Sequence, residues 1–193
     1  ESVARSPRAD ASAARDEGSG RSPEIMASAP SRFHSRVGVL ASASLLFALH
    51  LALRGLRTLE VRLRHHMQAG IEIARWLEAR PEVARVIHPA LESHPGHALW
   101  RRDFTGASGL FAVTLKPVPE TALAAFLDGL QLFGMGYSWG GYESLIIPFD
   151  PRSYRTATRW TEPGPALRLH IGLENIEDLK ADLAAAFARL NAA

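Results

Sequence analysis

Two segments of the chain alternate apolar and polar residues, and each leads into an amphipathic helical pattern. Residues 109–115 and 166–173 have the two-residue period of strands with one buried face. The patterns at 119–130 and 176–190 repeat apolar residues at steps of three and four, and Asn175 is suited to cap the second helix. Because such helices bury their apolar faces on strands, we predict an α/β fold with a small mixed or antiparallel sheet, covered by helices on one face.

A long helix and a further strand precede these two units. Apolar residues recur at helical spacing over 51–80, and Pro81 ends that pattern. The apolar run at 83–88 is typical of a short strand. The predicted order is therefore helix, strand, strand, helix, loop, strand, helix.

The first fifty residues differ in composition from the rest. Residues 1–36 are dominated by Ala, Ser, Arg, Pro and Gly, which predicts disorder. Residues 37–53 carry no formal charge, and we interpret them as a buried helix or a spurious segment, with a membrane anchor as the alternative. We thus predict a low-complexity leader at 1–50, either disordered or a non-native product of a shifted reading frame, and a folded part at 51–193.

The charge balance and the side-chain inventory exclude several classes of function. The sequence has 22 basic and 20 acidic residues, and the basic ones are spread out, which does not favour nucleic-acid binding. It contains no cysteine, which rules out disulfides, thiolate nucleophiles and cysteine metal sites and fits a cytoplasmic location. Only Lys116 and Lys180 can supply a lysine amine.

Two histidines lie in a polar connection at residues 89–108. His94 and His97 are candidates for a metal or acid–base site. No third ligand stands at suitable spacing in the sequence. We therefore interpret them as ordinary surface histidines of a solvated loop and short helix, and we predict no metal site.

Glycines and large aromatics are concentrated in the stretch 133–148, FGMGYSWGGYESLIIP. Glycine gives the backbone freedom, and a loop that also carries bulky aromatics is where a scaffold commonly presents side chains to a ligand. We predict a ligand-facing loop here, followed by a brief strand at 145–148.

Five stretches of the chain resemble the C-terminal part of the pyridoxal-phosphate enzymes of cysteine and methionine metabolism, most closely the cystathionine β-lyase branch of that family. The likeness extends from about Leu51 to Leu190, in the order of the family. There, a large domain holds the cofactor and a smaller C-terminal domain supplies the substrate side of the site. The stretches are LALRGLRTLEVRLRHH, PEVARVIHPAL, GHALWRRDFTGASGLFAVTL, FGMGYSWGGYESL and ALRLHIGLENIEDLKADL.

The resemblance implies pyridoxal 5′-phosphate as the cofactor, held by a lysine that precedes the RGLRTL motif at 54–59. No lysine occurs before Lys116, which ends a predicted strand, and Lys180 lies in the last predicted helix. We therefore expect this chain to contain no catalytic lysine and no covalent attachment point for the cofactor. By itself it is expected to be inactive.

The resemblance also assigns four substrate-binding residues. Arg168 matches the arginine that grips the substrate α-carboxylate, and a guanidinium on the polar side of a strand offers a planar pair of donors for that purpose. A surface ion pair with a nearby glutamate is the alternative. Ser138 matches a serine that contacts the same carboxylate, and Trp139 matches a wall of the pocket. Tyr137 and Trp139 favour cleavage at the β-carbon, because relatives that act at the γ-carbon have Glu-Ser-Leu-Gly-Gly at this position.

Four other residues of the matching stretches are expected to be structural. Glu143 and Ser144 are expected to shape the loop. Arg54 and Arg57 are expected to stabilise the helix that joins the domains in the family.

The function implied by the resemblance is pyridoxal-phosphate-dependent β-elimination of cysteine thioethers such as cystathionine, in transsulfuration and methionine biosynthesis. Such a carbon–sulfur lyase binds a small amino acid and no nucleic acid. Family members are commonly homotetramers, and the assembly of this chain stays open. The alternative is a non-catalytic remnant or interaction module that keeps the domain without the cofactor.

Overall fold

The structure, a computed structural model, describes residues 32–193, with side chains from residue 41 onward. Residues 1–31, most of the predicted leader, lie outside the described residues. The chain divides into two units, 1–49 and 50–193. The helices are α1 (Arg32–Arg57), α2 (Leu59–Glu78), α3 (His97–Asp103), α4 (Glu120–Asp128) and α5 (Ile176–Ala192), with one 3-10 turn at Pro151–Ser153.

The uncharged segment 37–53 lies within α1 and is helical, as predicted. The interpretation as a buried helix is wrong for residues 41–53, because all of these side chains are exposed, and Leu46 is 66% exposed. Apolar composition permits burial, but burial also needs a packed neighbour.

Among residues with described side chains, no helix is long and apolar enough to cross a membrane. Residues 37–40 of the uncharged segment lie outside the residues with described side chains.

The prediction of one continuous helix over 51–80 is wrong at Thr58, where the chain leaves the helical conformation between α1 and α2. Thr58 has φ −106° and ψ 6°. Its backbone N–H and its hydroxyl both donate to the Gly55 carbonyl, at 3.3 and 3.2 Å, and the Arg62 side chain donates to the same oxygen at 2.8 Å. These bonds compete with the helical ladder, and glycine and threonine are weak helix formers. Apolar periodicity alone does not reveal such a break.

Five strands form one mixed sheet. They are β1 (Val83–Ile87), β2 (Leu110–Leu115), β3 (Gly134–Met135), β4 (Leu145–Phe149) and β5 (Ala166–His170). Their order is β1-β2-β5-β4-β3; β3 and β4 pair in parallel, and the other neighbours pair antiparallel. On the central strand β5, Arg168 lies opposite Ala112 of β2 and Ile147 of β4.

Alternation along the strands gives the sheet two different faces. We call the side packed against α2, α4 and α5 the helix face; its strand residues are Phe111, Val113, Ile146, Leu167 and Leu169. The opposite side, here called the arginine face, carries Ala112, Ile147, Arg168 and His170. The prediction of a small mixed sheet covered by helices on one face is confirmed.

Aromatic packing between α4 and α5 and a side-chain cap on α5 stabilise the helix layer. The rings of Phe126 and Phe187 meet edge-on with centroids 5.0 Å apart, and both residues are 1% exposed. Asn175 caps α5, as predicted: its Oδ1 accepts the backbone N–H groups of Glu177 and Asp178 at 2.9 and 3.3 Å. The helix face is thus closed by residues of this chain.

Candidate functional site

The connection between β3 and β4, residues 136–144, is the core of the predicted ligand-facing stretch, and we call it the glycine-rich loop. Gly140 in this loop has φ +84°, in the left-handed region that glycine tolerates best. Just before the loop, the Asp182 carboxylate of α5 accepts the backbone N–H groups of Gln131 and Leu132, the latter at 2.8 Å. The chain leading into the loop is therefore fixed to α5.

Buried Ser144 and half-buried Glu174 fix the other end of the loop. The Ser144 hydroxyl donates to Glu174 Oε2 at 2.8 Å, and the Ser144 backbone N–H donates to Oε1 at 2.7 Å. The same hydroxyl accepts the Gly172 N–H at 2.8 Å. Gly172 permits this approach, because a Cβ there would lie 2.2 Å from the Tyr142 carbonyl oxygen. The expectation that Ser144 shapes the loop is confirmed.

Arg168 is placed where the arginine face meets the glycine-rich loop. It is half-buried, and its Nη2 donates to the Tyr137 carbonyl at 2.7 Å and makes a longer contact, 3.5 Å, with the Gly136 carbonyl. Within the described residues it forms no ion pair with a carboxylate. The alternative of a surface ion pair is therefore not realised there. The remaining guanidinium donors are not engaged by hydrogen bonds in that part of the chain.

The other three predicted substrate-binding residues lie in sequence beside this contact. Tyr137 meets Arg168 through its backbone carbonyl, while its ring is 82% exposed. Trp139 is 62% exposed, and Ser138 is exposed as well. No hydrogen bond in the described residues joins the Ser138 or Trp139 side chain to Arg168. The structure thus brings Arg168 to the loop backbone and leaves the loop aromatics on the surface.

Arg168 lines neither of two cavities of the folded part of the chain. One, of about 470 Å³, lies against the loop and is lined in part by Ser138, Ser144 and Glu174. A larger open groove of about 920 Å³ runs along α2 and the segment 88–110, and it includes Trp100. Neither is lined by Arg168, so the predicted carboxylate-binding group lies outside both cavities.

His170 belongs to the candidate site, although the sequence analysis gave it no role. Its Nε2 lies 3.1 Å from the Gly140 backbone nitrogen and 3.2 Å from the Gly141 carbonyl oxygen. Residues two apart on a strand share a face, so His170 lies on the same side of β5 as Arg168. This two-residue spacing in the sequence could have identified His170 as a site residue. Burial lowers the pKa of His170, and nearby His66 and Arg168 lower it further, while the Gly141 contact and Glu174 oppose the shift.

Neither lysine of the chain has the environment of a cofactor-binding amine. Lys180 on α5 bonds to Glu72 at 2.6 Å and to Glu177 at 2.8 Å, and these bonds raise its pKa and keep it protonated. A protonated amine is not a nucleophile. Lys116 is exposed just after β2, four residues beyond Ala112, which is about 13 Å along a strand from the position opposite Arg168. The lysines described here do not fit covalent attachment of pyridoxal phosphate beside Arg168.

His94 and His97 make local contacts in the segment before β2. His94 Nδ1 accepts the Gly96 N–H at 3.0 Å, and His97 Nδ1 lies 3.1 Å from the Pro89 carbonyl while its ring lies near Trp100. Burial lowers the pKa of His94, and electrostatic repulsion from nearby Arg85 and His97 lowers it further. Among the described residues, no group of three or more His, Cys, Asp or Glu is placed to hold a metal ion.

The amino-acid sequence matches the model of a known protein family. A family model described as Cys/Met metabolism PLP-dependent enzyme matches residues 22–188. The match begins ahead of Leu51, where the likeness was expected to start, and the division at residues 50 and 51 stays a prediction.

Two curated relatives illustrate the range of the family. The cystathionine beta-lyase of Salmonella typhimurium is 55% identical over 141 residues, which is 71% of this chain and 36% of the relative. The L-alanine/L-glutamate racemase of Wolbachia pipientis is 44% identical over 143 residues, 73% of this chain and 36% of the relative. The chain therefore spans about a third of the length of the curated relatives it matches.

A solved structure is similar in both fold and sequence. The cystathionine gamma synthase of Xanthomonas oryzae pv. oryzae, solved in complex with cystathionine, matches with a TM-score of 0.63 and 40% identity. The match covers 74% of this chain and 38% of that one.

Proposed function

This chain belongs to the family of Cys/Met metabolism PLP-dependent enzymes, and we propose that it forms the carboxylate-binding side of a carbon–sulfur lyase site. The proposed substrate is a cysteine thioether such as cystathionine, and the proposed reaction is β-elimination. Pyridoxal phosphate, when bound, supplies the electron sink for breaking the Cα–H and Cβ–S bonds. The residues of this chain bind and orient the substrate.

The observation that carries the proposal is the half-buried Arg168 without a carboxylate partner among the described residues. One of its nitrogens is held by the Tyr137 carbonyl, which fixes the guanidinium plane beside the loop. The remaining donors suit the two oxygens of an α-carboxylate, since arginine binds carboxylates through paired parallel hydrogen bonds. We assign Ser138 to the same carboxylate and the Trp139 ring to the wall of the pocket.

The choice of β-elimination rests on sequence and on relatives. Tyr137-Ser138-Trp139 stands where relatives that act at the γ-carbon have Glu-Ser-Leu, and the Salmonella relative is a cystathionine beta-lyase by name. The Wolbachia relative is by name a racemase, which is a different reaction. A racemase would bind the same α-carboxylate without breaking a C–S bond, so the two reactions differ in product.

A ligand titration on the 193-residue chain tests the carboxylate assignment. We expect L-cystathionine to shift the amide NMR signals of residues 137–141, and a thioether diamine without carboxylates to leave them in place. Arg168→Ala should weaken the binding about 10- to 100-fold, the value of a charged hydrogen-bonded contact. Arg168→Lys should recover only part, because lysine lacks the planar fork.

The matched control is Arg152→Ala, which removes an exposed arginine that donates to the Glu162 carbonyl at 2.7 Å. It should leave cystathionine binding unchanged. Unchanged binding in Arg168→Ala would refute the assignment.

The cofactor requires a separate experiment. We propose that neither Lys116 nor Lys180 holds pyridoxal phosphate in a catalytic way, and that the chain with added cofactor releases no pyruvate from L-cystathionine. Borohydride reduction followed by peptide mass analysis would locate any lysine adduct. Pyruvate release together with an adduct on either lysine would refute this part, and a chain that binds no thioether at all would favour a non-catalytic interaction module.

A further inference from the structure

Two contacts between the His170 imidazole and the glycine-rich loop compete for the same ring nitrogen, Nε2, while Nδ1 lies farther from the Gly140 nitrogen, at 3.5 Å. Nε2 is 3.1 Å from the Gly140 nitrogen and 3.2 Å from the Gly141 carbonyl oxygen. A backbone N–H only donates and a carbonyl only accepts, so the first contact needs a lone pair on Nε2 and the second needs a proton there. One nitrogen cannot provide both at once.

The two alternatives act on different peptide groups. A neutral ring with its proton on Nδ1 accepts the Gly140 N–H, which belongs to the peptide that joins Trp139 to Gly140. A ring protonated on both nitrogens donates from Nε2 to Gly141 and has no lone pair left on Nε2 or Nδ1 to accept the Gly140 N–H. The backbone can respond to the exchange, because Gly140 has φ +84° and nothing lies within 4 Å of a Cβ built on it.

A second buried histidine lies beside the His170 ring. On α2, buried His66 has its ring centroid 5.2 Å away. Its Nδ1 donates to the Ile171 carbonyl at 2.7 Å, and its buried Nε2 has no partner in the described residues. The Gly141 carbonyl can accept a hydrogen bond from His170 Nε2 when that nitrogen carries a proton.

The other charged groups around His170 act in opposite directions. Arg168 on β5 opposes protonation, and Glu174 after β5 favours it. The cross-strand neighbours on β2 and β4, Leu110 and Leu145, carry no charge.

We propose that His170 is a positioning residue: the neutral ring holds the Trp139–Gly140 peptide through the Gly140 N–H, and protonation transfers the contact to Gly141 and releases that peptide. The consequence for binding rests on the proposed function, because Trp139 forms one side of the released peptide and Ser138 directly precedes it. Burial lowers the pKa of His170, so the release belongs to mildly acidic conditions and the held state to neutral pH.

The first test follows the loop itself and needs no ligand. In the ¹⁵N-labelled chain, the Gly140 amide and the His170 ring nitrogens are followed by NMR from pH 8 to pH 5. We expect Nε2 without a proton at pH 7.5, and a Gly140 amide that titrates with the same midpoint as the ring. A proton on Nε2 at pH 7.5, or a Gly140 signal that does not move with the ring, would overturn the proposal.

Two substitutions separate positioning from general stability. His170→Gln keeps an acceptor for Gly140 without a titrating group, so its Gly140 signal should stay near the neutral-pH position and lose its pH dependence. His170→Leu removes the acceptor and should displace the signal at every pH. His94→Gln is the matched control, since His94 also accepts a glycine N–H and also has a pKa lowered by burial. It should leave the Gly140 titration intact, and a Gly140 titration that persists in His170→Gln would refute the assignment.

A second test links the loop to binding. Cystathionine has no group that titrates between pH 5.5 and 7.5, so a pH effect on its affinity reports on the protein. The apparent Kd should rise about twofold at the midpoint of the Gly140 titration, where half of the loops are released, and should not change in His170→Gln. If the loop titrates but Arg168→Ala binds normally, the proposed function fails alone; if Arg168 is required but Gly140 does not titrate, the inference on His170 fails alone.

Discussion

The two faces of the sheet are built from the same strands but are completed differently. The helix face is closed by α2, α4 and α5, and its strand side chains are 5% exposed or less. The arginine face carries Arg168 and His170, whose side chains bond to the backbone of the glycine-rich loop. Under the proposed function, the hydrophobic core and the ligand-binding residues therefore lie on opposite sides of a single sheet.

The largest effect should come from the helix face. Phe187→Ala removes a ring that is 1% exposed and packs on Phe126, and it should lower the free energy of unfolding by about 3–5 kcal/mol. Urea denaturation measures the loss. Tyr137→Ala removes a ring that is 82% exposed on the loop, and its effect should stay within about 0.5 kcal/mol. Equal losses in the two variants would break the distinction between the faces.

A smaller effect should come from the junction between the loop and β5. Ser144→Ala deletes a fully buried hydroxyl that donates to Glu174 and accepts from Gly172, leaving buried groups unpaired. The expected cost is about 1–3 kcal/mol in urea denaturation, with faster amide exchange in residues 136–144. Ser153→Ala is the control, because its exposed hydroxyl also donates a 2.8 Å bond, to the Asp150 carbonyl. Similar costs for both serines would argue against a buried anchor.

The smallest effect should come from pH. Burial lowers the pKa of His88 and of His170 below the ordinary value of 6.5, so the unfolded chain binds more protons than the folded one at mildly acidic pH. The free energy of unfolding should therefore be highest above pH 6.5 and fall as the pH drops toward 5.5.

Denaturation at several pH values measures that slope. His88→Gln and His170→Gln should each flatten part of it. A stability that rises on acidification over this range would contradict the assignment of both rings as buried and neutral.

Local pattern predicted most of the fold because the relevant signals lie close together in the sequence. Alternation placed Leu167, Leu169 and Arg168 on the correct sides of β5, and the Asn175 cap follows from contacts two and three residues away. The family resemblance pointed to Arg168, and the structure adds its contact with the Tyr137 carbonyl. The role of Arg168 in substrate binding stays a prediction.

The features that were missed depend on contacts between distant residues or on competition within the backbone. Ser144 meets Glu174 thirty residues later. The strand β3 is only two residues long and exists through its pairing with β4, so no periodic pattern could indicate it. The turn at Thr58 arises where its hydroxyl and amide both bond to Gly55, which apolar periodicity does not register.

The two acidic residues that hold the glycine-rich loop have a thermodynamic consequence. Asp182 on α5 holds the chain before the loop, and Glu174, just before α5, holds its end. Consider a ligand that binds more tightly when these two residues hold the loop. An ordered α5 then favours binding of the ligand, and binding stabilises the start of α5 by the same free energy, because such coupling is reciprocal. The last helix, which touches no substrate in the proposed site, would then act as a reporter: slower hydrogen exchange of its first turns would register occupancy of a loop on the other side of the sheet.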